Sequence, residues 1–185
     1  MNIIGITGSI ASGKTTVANL LAGEKYPIFS ADKVVSGFYK KNYFIEKLIK
    51  KFKLKKNNKI KEQIKLILNN RQNLHKLEAI IHPLVRKQMK IFLKKKNKFL
   101  FLEIPLLVEG KLNKYFDKII FVNAKKKIRI KRYLNKGGNK EIFRLLDDRQ
   151  LSPLTKKKVC DYTINNNFSL NLLKKNVKNF INDHE

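Results

Sequence analysis

The chain has 185 residues, the length of one domain or of one core carrying an inserted lobe. Its 43% apolar content, with 12 Phe and 6 Tyr, excludes a disordered chain, and its single cysteine, Cys160, excludes an intrachain disulfide or a cysteine metal cluster. Lys+Arg is 42 against Asp+Glu 14, a formal charge of +28, and residues 36–135 alone carry 29 basic and six acidic residues, net +23.

Such an excess invites nucleic acid, an anionic membrane or a polyanionic small molecule as partner. A blander source competes with these. Of the 42 basic residues 36 are Lys and only six are Arg, beside abundant Asn and Ile, so a nucleotide-biased genome with a solvated surface accounts for the bulk of the charge. No uncharged run reaches the roughly 18–20 residues of a membrane span. The segment from Met1 to Gly13 has no basic residues before its apolar ones, unlike a signal peptide, so a cytoplasmic location is expected.

In chain order, Asn2–Ile6 is a short apolar run that predicts a buried parallel strand, followed by a loop of small residues, Gly8–Gly13. Lys14–Ala22 then predicts a helix with Val17, Leu20 and Leu21 on one face and Gly23 as its stop. Pro27–Ser30 reads as a second strand, with Asp32 directly after it near the start of another helix. From Lys33 to Lys96 there is no strand signal. Ile60, Ile64, Ile67 and Leu68, then Leu74, Leu77, Ile80 and Ile81, then Leu84, Val85, Met89 and Phe92 predict helix faces, with His82-Pro83 between two helical stretches. Phe99–Glu103 and Ile119–Val122 read as strands, Lys125–Leu134 and Lys140–Asp148 as helices, Tyr162–Ile164 as a last strand and Ser169–Ile181 as a closing helix. Strands alternating with helices predict an α/β fold, a doubly wound parallel sheet.

Gly8-Ser9-Ile10-Ala11-Ser12-Gly13-Lys14-Thr15 matches the phosphate-binding pattern G-x-x-x-x-G-K-[ST] in full. The glycines let the backbone curl so that successive N–H groups point at phosphate oxygens, and the helix beginning near Lys14 adds its positive dipole end. Lys14 reaches β- and γ-phosphates, and the Thr15 hydroxyl is a ligand for Mg²⁺, with Thr16 following in the same turn. An apolar strand before the loop and an amphipathic helix after it separate this from a chance turn. The pattern predicts ATP or another nucleoside triphosphate with Mg²⁺, and leaves kinase, GTPase and ATPase open.

Asp32 lies past the C-terminal end of a strand, the sheet edge where ligands bind, so it is a candidate to orient and deprotonate an acceptor hydroxyl; an N-cap of the helix near Lys33 is the competing role. Glu103, at the end of its strand, is a candidate second acid near Mg²⁺, acting through water, or else a helix cap or salt-bridge partner. A lone histidine such as His82 is more often structural than functional. Arg129 and Arg132 lie on a basic helix, either a solvated face or a cover that closes positive charge over transferring phosphates.

Taken together, these residues resemble the dephospho-CoA kinase family nearly end to end. Ile4 through Thr16 is similar to its opening, usually written G-L-T-G-G-I-G-S-G-K-S, and Ser30-Ala31-Asp32 stands where the family has Asp-Ala-Asp. Ile80-Ile81-His82-Pro83 resembles its His-Pro motif and Glu103-Ile104-Pro105-Leu106-Leu107-Val108-Glu109 its P-L-L-x-E segment. Asp161-Tyr162-Thr163-Ile164-Asn165-Asn166 resembles its A-D-Y-x-I-x-N, with Gln150 and Lys156 suiting the stretch before it.

The resemblance implies transfer of the ATP γ-phosphate to the ribose 3′-hydroxyl of dephospho-CoA. It also implies a P-loop core (1–35, 97–124 and 151–185), a helical substrate lobe (36–96) and a lid (125–150). Under it Asp32, Lys14 and Arg132 are the expected catalytic residues, and Asp32, His82 and Glu103 the expected substrate side. Four departures stand out. Ser30 replaces an aspartate, Ala11 replaces a loop glycine, Lys136 stands where a second lid arginine is usual, and Leu146 stands where an arginine is frequent. A methyl at Ala11 is compatible only with a backbone that does not need positive φ. The expected partner is the small-molecule substrate alone, with no specific nucleic acid or membrane, and the chain is expected to act as a monomer. The alternatives are another nucleoside or nucleotide kinase and a nucleic-acid-stimulated P-loop ATPase.

Overall fold

The computed structural model describes residues 1–57, 59–68 and 70–182; Asn58 and Asn69 of the expected lobe, residues 183–185 of the expected core and the side chains of Lys61, Lys65, Leu68 and Arg71 lie outside the described residues. The chain divides into two compact units, one of residues 1–30 and 93–185, the other of residues 31–92.

The first unit is built on five strands, β1 (Asn2–Thr7), β2 (Ile28–Ser30), β3 (Phe99–Glu103), β4 (Lys118–Asn123) and β5 (Tyr162–Asn165). All pair parallel in the order β2-β3-β1-β4-β5, the doubly wound α/β sheet expected. Near-continuous apolar strands such as Phe99–Glu103, buried at every residue, are what a sheet covered on both faces requires. On one face Ile4, Ile6, Phe99, Phe101, Ile120, Val122 and Ile164 pack against α1 (Lys14–Ala22) and α9 (Leu170–Asn182) through Val17, Leu21, Leu173, Val177 and Phe180. On β1 the second face has no room for a side chain at Gly5, where an added Cβ would lie 2.7 Å from Leu107. β1 is flanked by β3 and β4, so the chain leaves it at the point where the strand order reverses. Ligand crevices open at that point, and the loop Gly8–Gly13 occupies it.

Between β4 and β5 run α6 (Lys126–Asn135), α7 (Lys140–Asp147) and α8 (Pro153–Val159). Sequence reading left α8 out. It is short and lysine-rich, with no apolar period, but it carries the start signals of a helix: the Ser152 side chain accepts from Thr155 N, and Pro153 sits in the first turn.

The second unit consists of α2 (Ala31–Phe38), α3 (Asn42–Phe52), α4 (Ile60–Leu68) and α5 (Arg71–Phe92). Its core is Phe38, Phe44, Leu48, Ile64, Leu77, Ile80 and Ile81, with the Tyr39 and Phe44 rings edge-on at 5.2 Å. The break expected at His82-Pro83 is absent: α5 runs through it with Pro83 inside. A proline removes one helical hydrogen bond and crowds the preceding turn. Here the apolar residues before it (Leu77, Ile80, Ile81) and after it (Leu84, Val85) pack in the same core, which holds both halves on one axis. Among the described residues, no helix is long and apolar enough to cross a membrane.

Candidate active site

β1 delivers the chain into the phosphate-binding loop. At Gly8 an added Cβ would lie 2.5 Å from the Val122 carbonyl and 2.7 Å from the Ser12 hydroxyl, so only glycine fits between the loop and β4. Gly13 has φ 96°, and a Cβ there would collide with the Asn166 amide. The Ser12 N–H donates to the Ser9 carbonyl at 3.1 Å, which closes the turn before α1 begins at Lys14.

Lys14 is buried, and its Nζ donates to the Ser9 carbonyl at 3.1 Å, so the ammonium is folded over the loop it serves. The exposed Thr15 donates its hydroxyl to Glu103 Oε1 at 2.7 Å. Glu103 is 2% exposed, in register between Ile6 of β1 and Ser30 of β2, and its second oxygen, Oε2, is buried with no hydrogen-bond partner. This corrects the cap or salt-bridge alternative: the carboxylate faces the Thr15 hydroxyl. A buried orphan carboxylate oxygen is costly by itself. Beside a P-loop threonine it is the donor set a hydrated Mg²⁺ takes, so the residues fit that ion.

α6 supplies two arginines, and their roles differ from the solvated-face reading. Arg129 is 3% exposed. Its Nε donates to Ala124 O at 3.2 Å, and its guanidinium donates to Ile10 O at 3.3 Å and to Asp147 Oδ1 at 2.6 Å. The Asp147 carboxyl is pushed up by burial, but the hydrogen bonds and charges of Arg129 and Lys126 outweigh this and hold it below the ordinary carboxylate value. Arg132 donates to the Ser12 carbonyl at 3.4 Å and to Asn166 Oδ1 at 3.2 Å, while Asn166 Nδ2 donates to the same Ser12 carbonyl at 2.9 Å. Gln150 accepts from Ile10 N at 2.9 Å.

Lys14, Thr15, Glu103 and Arg132 are therefore gathered around one loop. Arg129, expected only as part of a basic helix or cover, and Asn166, quoted only as the end of the family's C-terminal pattern, join them. For Asn166 the available signal was its place directly after β5, at the ligand edge of the sheet. Asp32 and His82 belong to the helical unit. Asp32 is the second residue of α2, exposed in its first turn; α2 begins at Ala31, which corrects the cap near Lys33. A carboxylate in that turn is favoured by the helix dipole. His82 is half-buried within α5.

Comparison with known proteins fixes the family. A family model for dephospho-CoA kinase matches residues 2–171. The chain belongs to the dephospho-CoA kinase family. Membership makes it an ATP-dependent kinase that acts on an alcohol group. A dephospho-CoA kinase of Fusobacterium nucleatum is 35% identical over 185 residues, covering 96% of this chain and 96% of that protein. Among solved structures, a dephospho-CoA kinase from Campylobacter jejuni is similar at TM-score 0.64 and 27% identity, covering 98% of this chain and 96% of that one. A Thermus thermophilus structure is similar at TM-score 0.78 and 28% identity, covering 100% and 98%.

One departure from the family's loop has a structural consequence in this kinase. Ala11 has φ 57°, the left-handed region. A non-glycine residue there costs about 1–2 kcal/mol, offset by about 0.5–1 kcal/mol because glycine loses more freedom on folding. Ala11→Gly should therefore stabilise the fold by about 0.5–1 kcal/mol, raising Tm by about 1–4 °C. A thermal melt that shifts downward instead would show that Ala11 does not carry this strain.

Proposed function

We propose that this kinase transfers the γ-phosphoryl group of ATP to the 3′-hydroxyl of dephospho-CoA, giving coenzyme A and ADP. The observation that carries the reading is the match to the family model over residues 2–171, joined to a complete phosphate loop with Lys14, Thr15 and Glu103 assembled on it.

The loop amides from Gly8 to Thr16 cradle the triphosphate, and Lys14 swings its ammonium from the Ser9 carbonyl onto β,γ-oxygens. Thr15 and Glu103 would hold Mg²⁺, which when bound neutralises charge shared between those oxygens. Asp32 orients the acceptor hydroxyl. As the bond between the γ-phosphorus and the β,γ-bridging oxygen breaks and the bond to the 3′-oxygen forms, Asp32 takes the hydroxyl proton and ADP leaves with the bridging oxygen. Arg132, from a lid spanning 125–150, places positive charge on the transferring group, and Asn166 sets its angle. His82 is assigned to the acceptor side in the helical lobe, 36–96. Catalysis in this scheme is positioning and electrostatics.

Incubation with ATP, Mg²⁺ and dephospho-CoA should yield a product whose mass is that of coenzyme A, in a one-to-one ratio with ADP. Parallel incubations with nucleosides and nucleoside monophosphates separate this reading from another small-molecule kinase. ADP release with those acceptors and none with dephospho-CoA would overturn the assignment.

A further inference from the structure

The interior of the first unit holds a charged pair that the proposed chemistry does not use. Lys156, on α8, has no exposed surface at all, 0%. Its Nζ donates to Glu109 Oε1 at 2.8 Å and to the Pro105 carbonyl at 3.0 Å. That carbonyl also accepts the Thr7 hydroxyl at 3.1 Å. Pro105 is two residues beyond Glu103, and Thr7 immediately precedes Gly8. Glu109 Oε1 in turn accepts the Leu151 N–H at 2.9 Å, next to Gln150, whose side chain accepts from Ile10 within the loop. A single buried ammonium thus lies at the centre of a web of bonds that links the segment after β3, the entry to the phosphate loop and the chain before α8.

We propose that Lys156 and Glu109 are positioning residues: their ion pair fixes the Glu103–Glu109 segment against the start of the phosphate loop, and so sets where the Glu103 carboxylate stands opposite Thr15. This rests on the proposed role of Thr15 and Glu103 toward Mg²⁺. The physical argument is one of direction. A buried ion pair is weak as a source of stability, because apolar side chains of similar volume often do as well or better. What an ammonium offers and an apolar residue cannot is several donors held at set angles. Two of them are fixed here on groups belonging to one short segment. A rotation of Pro105 that lost both its bonds would carry Glu103 with it, two peptide units away.

The test uses the full chain. Glu109→Gln alone leaves a buried ammonium half-paired, so the informative variant is the double Lys156→Met/Glu109→Gln, which removes both charges and keeps an acceptor for Leu151. Affinity for a fluorescent ATP analogue is measured with and without Mg²⁺, beside Tm and steady-state rates. The double variant should melt within a few degrees of the parent and bind the analogue equally well without Mg²⁺. The gain in affinity on adding Mg²⁺ should shrink, the Mg²⁺ concentration for half-maximal turnover should rise about tenfold, and kcat should fall about tenfold. Thr7→Val, which removes only the other bond to Pro105, should move the same two Mg²⁺ readouts about two- to threefold, and serves if the double variant fails to fold. Parent-like Mg²⁺ dependence in the folded variants would overturn the proposal and leave the pair a purely structural one. Because the binding arm needs no acceptor, this failure is distinct from a failure to make coenzyme A.

Discussion

Asp32→Asn should leave ATP binding within about twofold of the parent and lower phosphoryl transfer by about 10²–10³-fold. The change keeps the shape of the side chain and removes its ability to take a proton. General-base contributions run to about 10²–10⁴. Phosphoryl transfer passes through a loose transition state in which little charge develops on the attacking hydroxyl until late, which argues for the lower part of that range. Ser30 sharpens the expectation. Where the family motif has a first aspartate this chain has a serine, so no second carboxylate of the motif can take over the proton. Asp32 is exposed in the first turn of α2, where a carboxylate contributes about 0.3–1 kcal/mol through the dipole, and a thermal melt of the variant beside the parent separates any structural cost from the loss of transfer. Analogue titration for binding and mass detection of coenzyme A for turnover check it together. Turnover within threefold of the parent would remove Asp32 from the acceptor role.

The inner strands were legible because they are buried on both faces, whereas in the edge strand β5 only Ile164 is buried. Phe99–Leu102 reads as an unbroken apolar run closed by Glu103, and the structure ends the strand at that residue. β4 is longer than its apolar run by Lys118 and Asn123, polar ends whose backbone still pairs. Helices with an apolar period were visible too, except that α3, with Phe44 and Leu48 buried, was read only as part of a helical insert. Two errors have physical causes. Pro83 signals a helix break locally, but burial on both sides of it prevails. α8 was invisible to periodicity because Pro153–Val159 is bound by a cap, a proline and one fully buried lysine rather than by an apolar face.

In the site, the legible part is the contiguous part. The loop from Gly8 to Thr15 is recognisable because its chemistry needs neighbouring residues at fixed spacing. The residues that brace it are contributed from far along the chain. Arg132 reaches the Ser12 carbonyl across 120 residues and Asn166 across 154. Arg129 is as basic in sequence as the lysines around it, and only the topology shows that its guanidinium is buried on Asp147 and Ile10. By composition and period Lys156 is likewise indistinguishable from its exposed neighbours Lys157 and Lys158; only the family resemblance marks it, and the fold assigns it Glu109.

Lys14→Met should lower kcat/KM by about 10³-fold or more while leaving Tm within about 3 °C of the parent. A single donor aimed at developing charge is worth about 10²–10³ in rate in a preorganised site, and an ammonium on phosphate oxygens stands above that. In stability, opposing effects meet. The Ser9 carbonyl loses one hydrogen bond, worth about 1 kcal/mol, while a charge 7% exposed no longer has to be desolvated. Methionine fills the same narrow volume with a flexible apolar chain. Lys14→Arg should not rescue the rate, since a planar fork cannot replace a compact point charge within the curl of the loop. The decisive control is another lysine. With 36 lysines and a net charge of +28, a general positive field would make any one of them dispensable. Lys50→Met, on an exposed face of α3, should change kcat/KM less than twofold at 0.15 M salt, where exposed charges are screened beyond about 8 Å. Equal losses from the two substitutions would mean that phosphate is held by the field of the surface and not by the loop.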